Sequence, residues 1–229
     1  TLPANTALCV GPNIEYVRVE SENPYTKEPA VYVVAKDLVK SVFGEKIPHR
    51  VLEGTIKGSA LVGIEYKQLI PWVNPGEGAF RVISGDYVTV EEGTTGIVHI
   101  APTFGADDNR VAKAAGVPPL QVVDLNGNRQ AMVDRTGKFY RVEDLDSEFV
   151  EKFVNLEKYS KYAGRSVKNA YDSSLAPDAP TLDVDLCVDL KQQGRAFRIE
   201  KHTHTYPHCW RTDKPVLYYP LDSWFIKTT

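Results

Sequence analysis

Three cysteines, one methionine and no apolar run of membrane-spanning length set the first limits on this chain of 229 residues. Cys9, Cys187 and Cys209 are odd in number and widely spaced, which excludes a disulfide framework and points to a reducing cytosol. A bilayer span needs about 18 or more consecutive apolar residues, and none is present. The opening Thr1-Leu2-Pro3-Ala4-Asn5 has neither the basic start nor the apolar stretch of a signal peptide. With threonine at position 1, the chain is expected to be an excised piece or a processed product. Positive charge is not in excess either. The formal net charge is −3, so no global basic field draws in nucleic acid. A nucleic acid partner would have to be held locally or delivered by another part of a larger protein. There is no internal repeat of the kind that builds solenoids or propellers. Gly76-Glu77-Gly78 lacks the lysine and helix that follow a phosphate-cradling loop, so ATP hydrolysis by this chain is not expected.

What is present reads as a β-rich globular chain. Residues 14–19 alternate, 31–34 are β-branched, and 80–83 and 87–90 flank Ser84-Gly85-Asp86 as a hairpin would. Residues 120–123 and 130–133 lie either side of Asn126-Gly127, the strongest short hairpin signal in the sequence. Many short strands with glycine turns favour a closed barrel over a doubly wound sheet. Helices are expected from Asp107 or Asp108 as cap to Ala115, over 146–153, and over 181–192 up to Gly194. The one linker-like stretch, 173–180, is too short to separate domains. The expected fold class is therefore mainly β (α+β), residues 1–229 forming a single domain with peripheral helices.

Chemistry concentrates in 93–108, Gly-Thr-Thr-Gly-Ile-Val-His-Ile-Ala-Pro-Thr-Phe-Gly-Ala-Asp-Asp. It reads as a strand, a glycine-containing loop and the acidic start of a helix. Ile97, His99 and Ala101 share one strand face, and an aspartate follows His99 within nine residues. Taken singly, His99 reads as a hydrogen-bonded core histidine and the two aspartates as helix capping. Taken together across one loop, a neutral imidazole and a carboxylate can hold a polar, cationic small molecule.

The same string, 96–108, resembles the editing-domain signature of isoleucyl-tRNA synthetases. Thr1-Leu2-Pro3-Ala4-Asn5-Thr6-Ala7 is similar to that family's entry into the inserted domain. Tyr206-Pro207-His208-Cys209-Trp210-Arg211 and Ser223-Trp224-Phe225 are similar to its exit. Valyl-type domains carry lysine at the position of His99 and leucyl-type ones an apolar residue, so His99 with Phe104-Gly105 marks the isoleucyl branch.

The resemblance implies the closed six-stranded β-barrel of the Val/Ile/Leu-tRNA synthetase editing domain. It implies an aminoacyl-tRNA deacylase module that hydrolyses valine wrongly esterified to tRNA(Ile), and valyl-adenylate with it. One missing methylene gives a synthetic pocket only about 1–3 kcal/mol of discrimination, a general limit for which isoleucine against valine is the standard example. A second pocket too small for isoleucine removes the error. By the same resemblance Asp108 grips the substrate α-ammonium, His99 lines the amino-acid pocket, and Phe104, Gly105 and Asn5 border it. For Asn5 a plain turn role after Pro3 competes. The implied partners are the 3′ acceptor end of tRNA(Ile) carrying valine and the remainder of the synthetase, in the cytoplasm and with no membrane. No cofactor is expected in this fragment; ATP belongs to the full-length enzyme, as does zinc in some members.

Two departures qualify the resemblance. The family places a threonine-rich strand ending Pro-Trp before the position of Thr1, and its hydroxyls are not in this sequence. The isolated piece is therefore expected to fold yet deacylate poorly; a version extended upstream should be faster, and equal rates would refute this. Second, His202, His204, His208 and Cys209 cluster, but Thr212 stands where some members complete a Cys-x-x-Cys, so no metal site is expected. Cys9 and Cys187 have no histidine nearby in sequence, so the nucleophile is expected to be water. The synthetase signatures His-x-Gly-His and Lys-Met-Ser-Lys-Ser are missing, so no amino-acid activation is expected. Two other readings are a non-catalytic insert that docks the tRNA end and a free-standing deacylase. Lys201, Trp210, Arg211 and Lys214 are candidates for meeting the acceptor end, or a solvated rim.

Overall fold

Runs of β-branched and aromatic residues alternating with polar ones build the frame. The computed structural model describes residues 1–229 apart from 177, 202–204, 222, 223, 225, 227 and 229. The expectations for His202, His204, Ser223 and Phe225 therefore lie outside the described residues. The strands are β1 (Ala7–Val10), β2 (Glu15–Glu22), β3 (Pro29–Ala35), β4 (His49–Val51), β5 (Ile56–Lys57), β6 (Arg81–Ser84), β7 (Ile97–Ile100), β8 (Val122–Val123) and β9 (Arg129–Gln130). The helices are α1 (Val39–Phe43), α2 (Gly58–Leu61), α3 (Ala106–Ala114), α4 (Ser147–Phe153), α5 (Leu156–Tyr159) and α6 (Leu182–Gln192). The fold is mixed α+β.

Pairings among the described residues define three sheets. One has the order β6-β1-β7, with β6 parallel and β7 antiparallel to β1. A second is antiparallel, β3-β2-β4 with β5 also on β2, and β8 with β9 form a separate hairpin. These ladders do not trace one closed six-stranded ring. The first two sheets meet instead by single bonds: the Ala35 N–H donates to Thr95 O at 3.0 Å, where β3 ends and β7 is about to begin. Gly96, at φ +73°, breaks the extended backbone there, and a methyl group on it would sit 2.5 Å from the Ala35 side chain. Tyr16, fully buried, reinforces the junction: its hydroxyl accepts from Gly11 N–H at 3.0 Å and donates to Gly96 O at 2.6 Å.

The Asn126-Gly127 hairpin forms between β8 and β9, Gly127 taking φ +79° and the Asp124 carboxylate accepting from the Asn126 and Asn128 amides. The hairpin expected around Ser84-Gly85-Asp86 does not. After β6 the Gly85 N–H donates to Val10 O, and Tyr87 folds over Cys9. Gly85 allows this, since a methyl group there would lie 2.7 Å from Cys9 Sγ and 2.8 Å from the Tyr87 ring. Within 87–90, Tyr87 and Val88 therefore pack on the core and not on a strand partner, while Val90 is exposed.

Helix ends follow local rules. Asp146 and Asn155 cap α4 and α5 by accepting from Phe149 N–H and Lys158 N–H. Past α3, Val117 N–H bonds to Ala112 O and Gly116 N–H to Lys113 O, the paired closure that a left-handed glycine permits. Arg81 donates to Ala115 O at the same end, a cation against the negative end of the helix dipole.

Three buried clusters result. Trp72, Met132, Phe139, Tyr159 and Tyr162 centre the largest, with the Trp72 and Tyr162 rings stacked at 4.5 Å. A second lies between the β2–β3 sheet and α1, and a third holds Cys9, Ile83, Ile100 and Val111. β7 and the residue after it serve all three. Ile97 packs on the second, Val98 and Ile100 on the third, and Ala101 in the first. The strand that bears His99 is thus held on several sides. None of the helices among the described residues is long and apolar enough to cross a membrane.

Candidate active site at the end of strand β7

His99 lies on β7 opposite Leu8 of β1. Its Nε2 is 3.3 Å from Thr1 Oγ1, and its Nδ1 is buried with no hydrogen-bond partner. Burial lowers the imidazole pKa, and Asp108 opposes it. The neutral ring is thus favoured at neutral pH. For stability the sign follows directly. The unfolded imidazole takes up a proton near its ordinary value, about 6.5, which the fold refuses until lower pH. Stability is therefore full above that value and falls as pH drops below it. A denaturation series from pH 7.5 to 5 is expected to show this loss, and His99→Gln to remove His99's share; an unchanged slope in the variant would reject a buried, pKa-lowered imidazole.

Asp108 does not cap α3, as either aspartate was expected to do. The cap position is Gly105, with no side-chain bond, and Asp107 and Asp108 fall in the first turn. Asp107 pairs in the open with Arg110 at 3.2 Å. Asp108 reaches back instead: its Oδ2 accepts from Ala101 N–H at 2.8 Å. That bond pins a half-buried carboxylate beside the strand end two residues beyond His99. Gly105 makes room for it, because a methyl group there would lie 2.8 Å from Asp108 Cγ. The N–H groups of Phe104 and Gly105 both bond Ala101 O, at 3.0 and 3.2 Å, which folds the loop tightly back onto β7.

Asp108 therefore stays close enough to His99 to act on its charge, and Gly105 packs against the same carboxylate. Phe104 turns the other way, against the largest core cluster, and lines a cavity of about 430 Å³ shared with Leu2, Met132, Phe139, Leu186 and Tyr218. Neither His99 nor Asp108 lines that cavity. Asn5 is buried in the wall behind β7. Its Nδ2 donates to Ala7 O at 2.8 Å and Ile100 O at 3.4 Å, and its Oδ1 accepts from the Tyr66 hydroxyl at 2.6 Å. Tyr66 escaped sequence reasoning, since it lies in no motif and meets Asn5 from 61 positions away. Cys9 is buried, and burial pushes its thiol pKa up, which argues against a thiolate. His208 Nδ1 lies 2.8 Å from Tyr206 O, and no group of three metal-ligating side chains occurs among the described residues.

A strand-end imidazole and a backbone-anchored carboxylate are groups chemically able to hold a small cation. The chain matches aminoacyl-tRNA synthetases along its whole length. Isoleucine–tRNA ligase of Bacteroides fragilis is 59% identical over 244 residues, covering 100% of this chain and 21% of that protein. The Porphyromonas gingivalis enzyme is 58% identical over 245 residues with the same coverage, and that of Clostridium tetani 36% over 229 residues, with 100% and 18%. The chain belongs to the isoleucine–tRNA ligase family, and it spans about a fifth of the length of these relatives. No family model matches it. Among solved structures, the crystal structure of GlLeuRS-CP1 covers 87% of this chain and 80% of its own at 15% identity, with a TM-score of 0.45.

Proposed function

We propose that residues 1–229 act as one unit, the editing deacylase of a cytoplasmic isoleucine–tRNA ligase, which clears valine from tRNA(Ile) and from valyl-adenylate. The observation that carries this reading is the Asp108 carboxylate, fixed by Ala101 N–H beside His99 in a chain of this family. A carboxylate held at one oxygen keeps the other free, and the substrate α-ammonium is its natural partner in a short, charge-assisted bond. That contact is blind to the side chain, so it positions any aminoacyl ester. Discrimination is assigned in this reading to the neutral His99 ring and the 101–105 loop, which would exclude the larger isoleucine side chain.

The ester is already activated, so hydrolysis needs a placed water and no protein nucleophile. Water adds to the ester carbonyl, the carbon–oxygen bond to the ribose breaks, and the ribose oxygen leaves with a proton. Free valine and uncharged tRNA are the products. The partners in this reading are the 3′ acceptor end of the tRNA and the rest of the ligase, which supplies ATP-dependent synthesis. The architecture is read the same way: β5–β2–β3 meets β7 through Ala35, β7–β1–β6 continues the wall, and α2, packed between β5 and β6, brings the wall back to its start as a six-stranded barrel. The test is deacylation of valyl-tRNA(Ile) against isoleucyl-tRNA(Ile) by the complete ligase. Preferential hydrolysis of the valyl ester, lost on replacing Asp108, is the expected outcome; failure to clear the valyl ester leaves this chain a docking insert.

A further inference from the structure

We propose that Tyr66 is a positioning residue for this site, acting through Asn5 on the end of β7 from which His99 and the Asp108 anchor are presented. The inference rests on the deacylase reading above. Tyr66 makes no hydrogen bond to His99 or Asp108. Its hydroxyl donates to Asn5 Oδ1 at 2.6 Å, which orients the Asn5 amide and turns its nitrogen toward the carbonyls of Ala7 and Ile100. Ile100 lies between His99 and Ala101, whose N–H holds Asp108. Its carbonyl also accepts from Thr6 N–H at 2.9 Å, so two donors fix the backbone at the point where the site residues diverge. Asn5 is only 7% exposed, so water has little access to replace the hydroxyl.

Tyr66 is itself held with care. Its N–H donates to Phe80 O at 2.8 Å, and the two rings meet edge to face with centroids 5.9 Å apart. Phe80 has φ +58°, a left-handed conformation that a bulky residue adopts only when its surroundings impose it. Here the surroundings are Thr6 O, which accepts from Phe80 N–H at 2.6 Å, and Tyr66. Backbone strain is thus retained at a residue whose visible role is to seat Tyr66 against the segment bearing Asn5. Burial raises the Tyr66 pKa above its ordinary value, so its hydroxyl remains a donor through neutral pH.

The test uses the complete ligase and valyl-tRNA(Ile). Tyr66→Phe removes only the hydroxyl and keeps the ring contact with Phe80. It is expected to lower kcat for deacylation about tenfold, with KM within about twofold and isoleucylation unchanged, because misplacement of the reacting geometry acts on the transition state. A merely structural hydroxyl would lower the unfolding midpoint and leave kcat, measured well below that midpoint, where it was. Asn5→Ala should cost as much or more, and adding Tyr66→Phe to it should cost nothing further. A wild-type kcat in Tyr66→Phe overturns the inference, and so does a second tenfold loss in the Asn5→Ala background. If Tyr66→Phe does not fold, a wild-type kcat in Asn5→Ala alone overturns it. A wild-type ligase that leaves valyl-tRNA(Ile) intact refutes the deacylase reading instead, before any variant is made.

Discussion

Asp108→Asn is expected to reduce kcat/KM for valyl-tRNA(Ile) deacylation by roughly 10- to 150-fold while leaving isoleucylation by the complete ligase unchanged. The range follows from the value of a hydrogen bond to a charged group, about 1.5–3 kcal/mol. Asparagine keeps an acceptor for Ala101 N–H, so the loop between β7 and α3 retains its geometry and only the charge proposed to grip the ammonium is lost. Asp108→Ala removes both. It should abolish measurable deacylation and also cost about 1–3 kcal/mol of stability, because Ala101 is fully buried and its N–H is left without its acceptor. The protein should still fold, as that cost lies within the usual 5–15 kcal/mol of a domain. Comparing the two variants separates anchoring of substrate from anchoring of the loop. Deacylation at the wild-type rate in Asp108→Asn would remove Asp108 from the site.

The second large effect is on stability. Tyr16→Phe is expected to destabilise the fold by about 2–6 kcal/mol, two buried backbone groups each losing a partner worth about 1–3 kcal/mol to satisfy. The groups are Gly11 N–H and Gly96 O, both buried, and no water-filled space replaces the hydroxyl of a residue with no exposed surface. Gly96 immediately precedes β7, so the loss should extend to the site. Hydrogen exchange along 95–101 should rise more than exchange in α4 and α5, which belong to the cluster around Trp72. An unfolding midpoint within error of the wild type would show that this hydroxyl is not what joins the two sheets.

Elements whose cause is local were legible in the sequence. The α4 boundary follows from its capping aspartate, the end of α3 from Gly116 at φ +70°, and the hairpin between β8 and β9 from Asn126-Gly127 and the Asp124 side chain. Elements whose cause is distant were not. The Ser84-Gly85-Asp86 turn carries the same residue types as a hairpin, but Cys9 and Val10 from another strand decide its course. Strands β1, β4 and β5 are short and carry little pattern of their own; pairing with β6, β7 and β2 defines them.

The candidate site divides in the same way. The sequence by itself pointed to the family through the resemblance of 96–108, and it offered His99 and Asp108 as candidates because a strand, a glycine loop and a helix start fall within sixteen positions. It could not determine what Asp108 does with its second oxygen. Helix-capping rules offered α3 as the partner, whereas the structure gives the Oδ2 to Ala101 N–H, since the loop folds back and brings that donor within 2.8 Å. Nor could it join Tyr66 to Asn5, or Tyr16 to Gly96. Those contacts cross 61 and 80 positions, and only the packing of the sheets around β7 brings the partners to bonding distance. Local chemistry offered the residues, and long-range packing decided which of their atoms are already engaged within the fold.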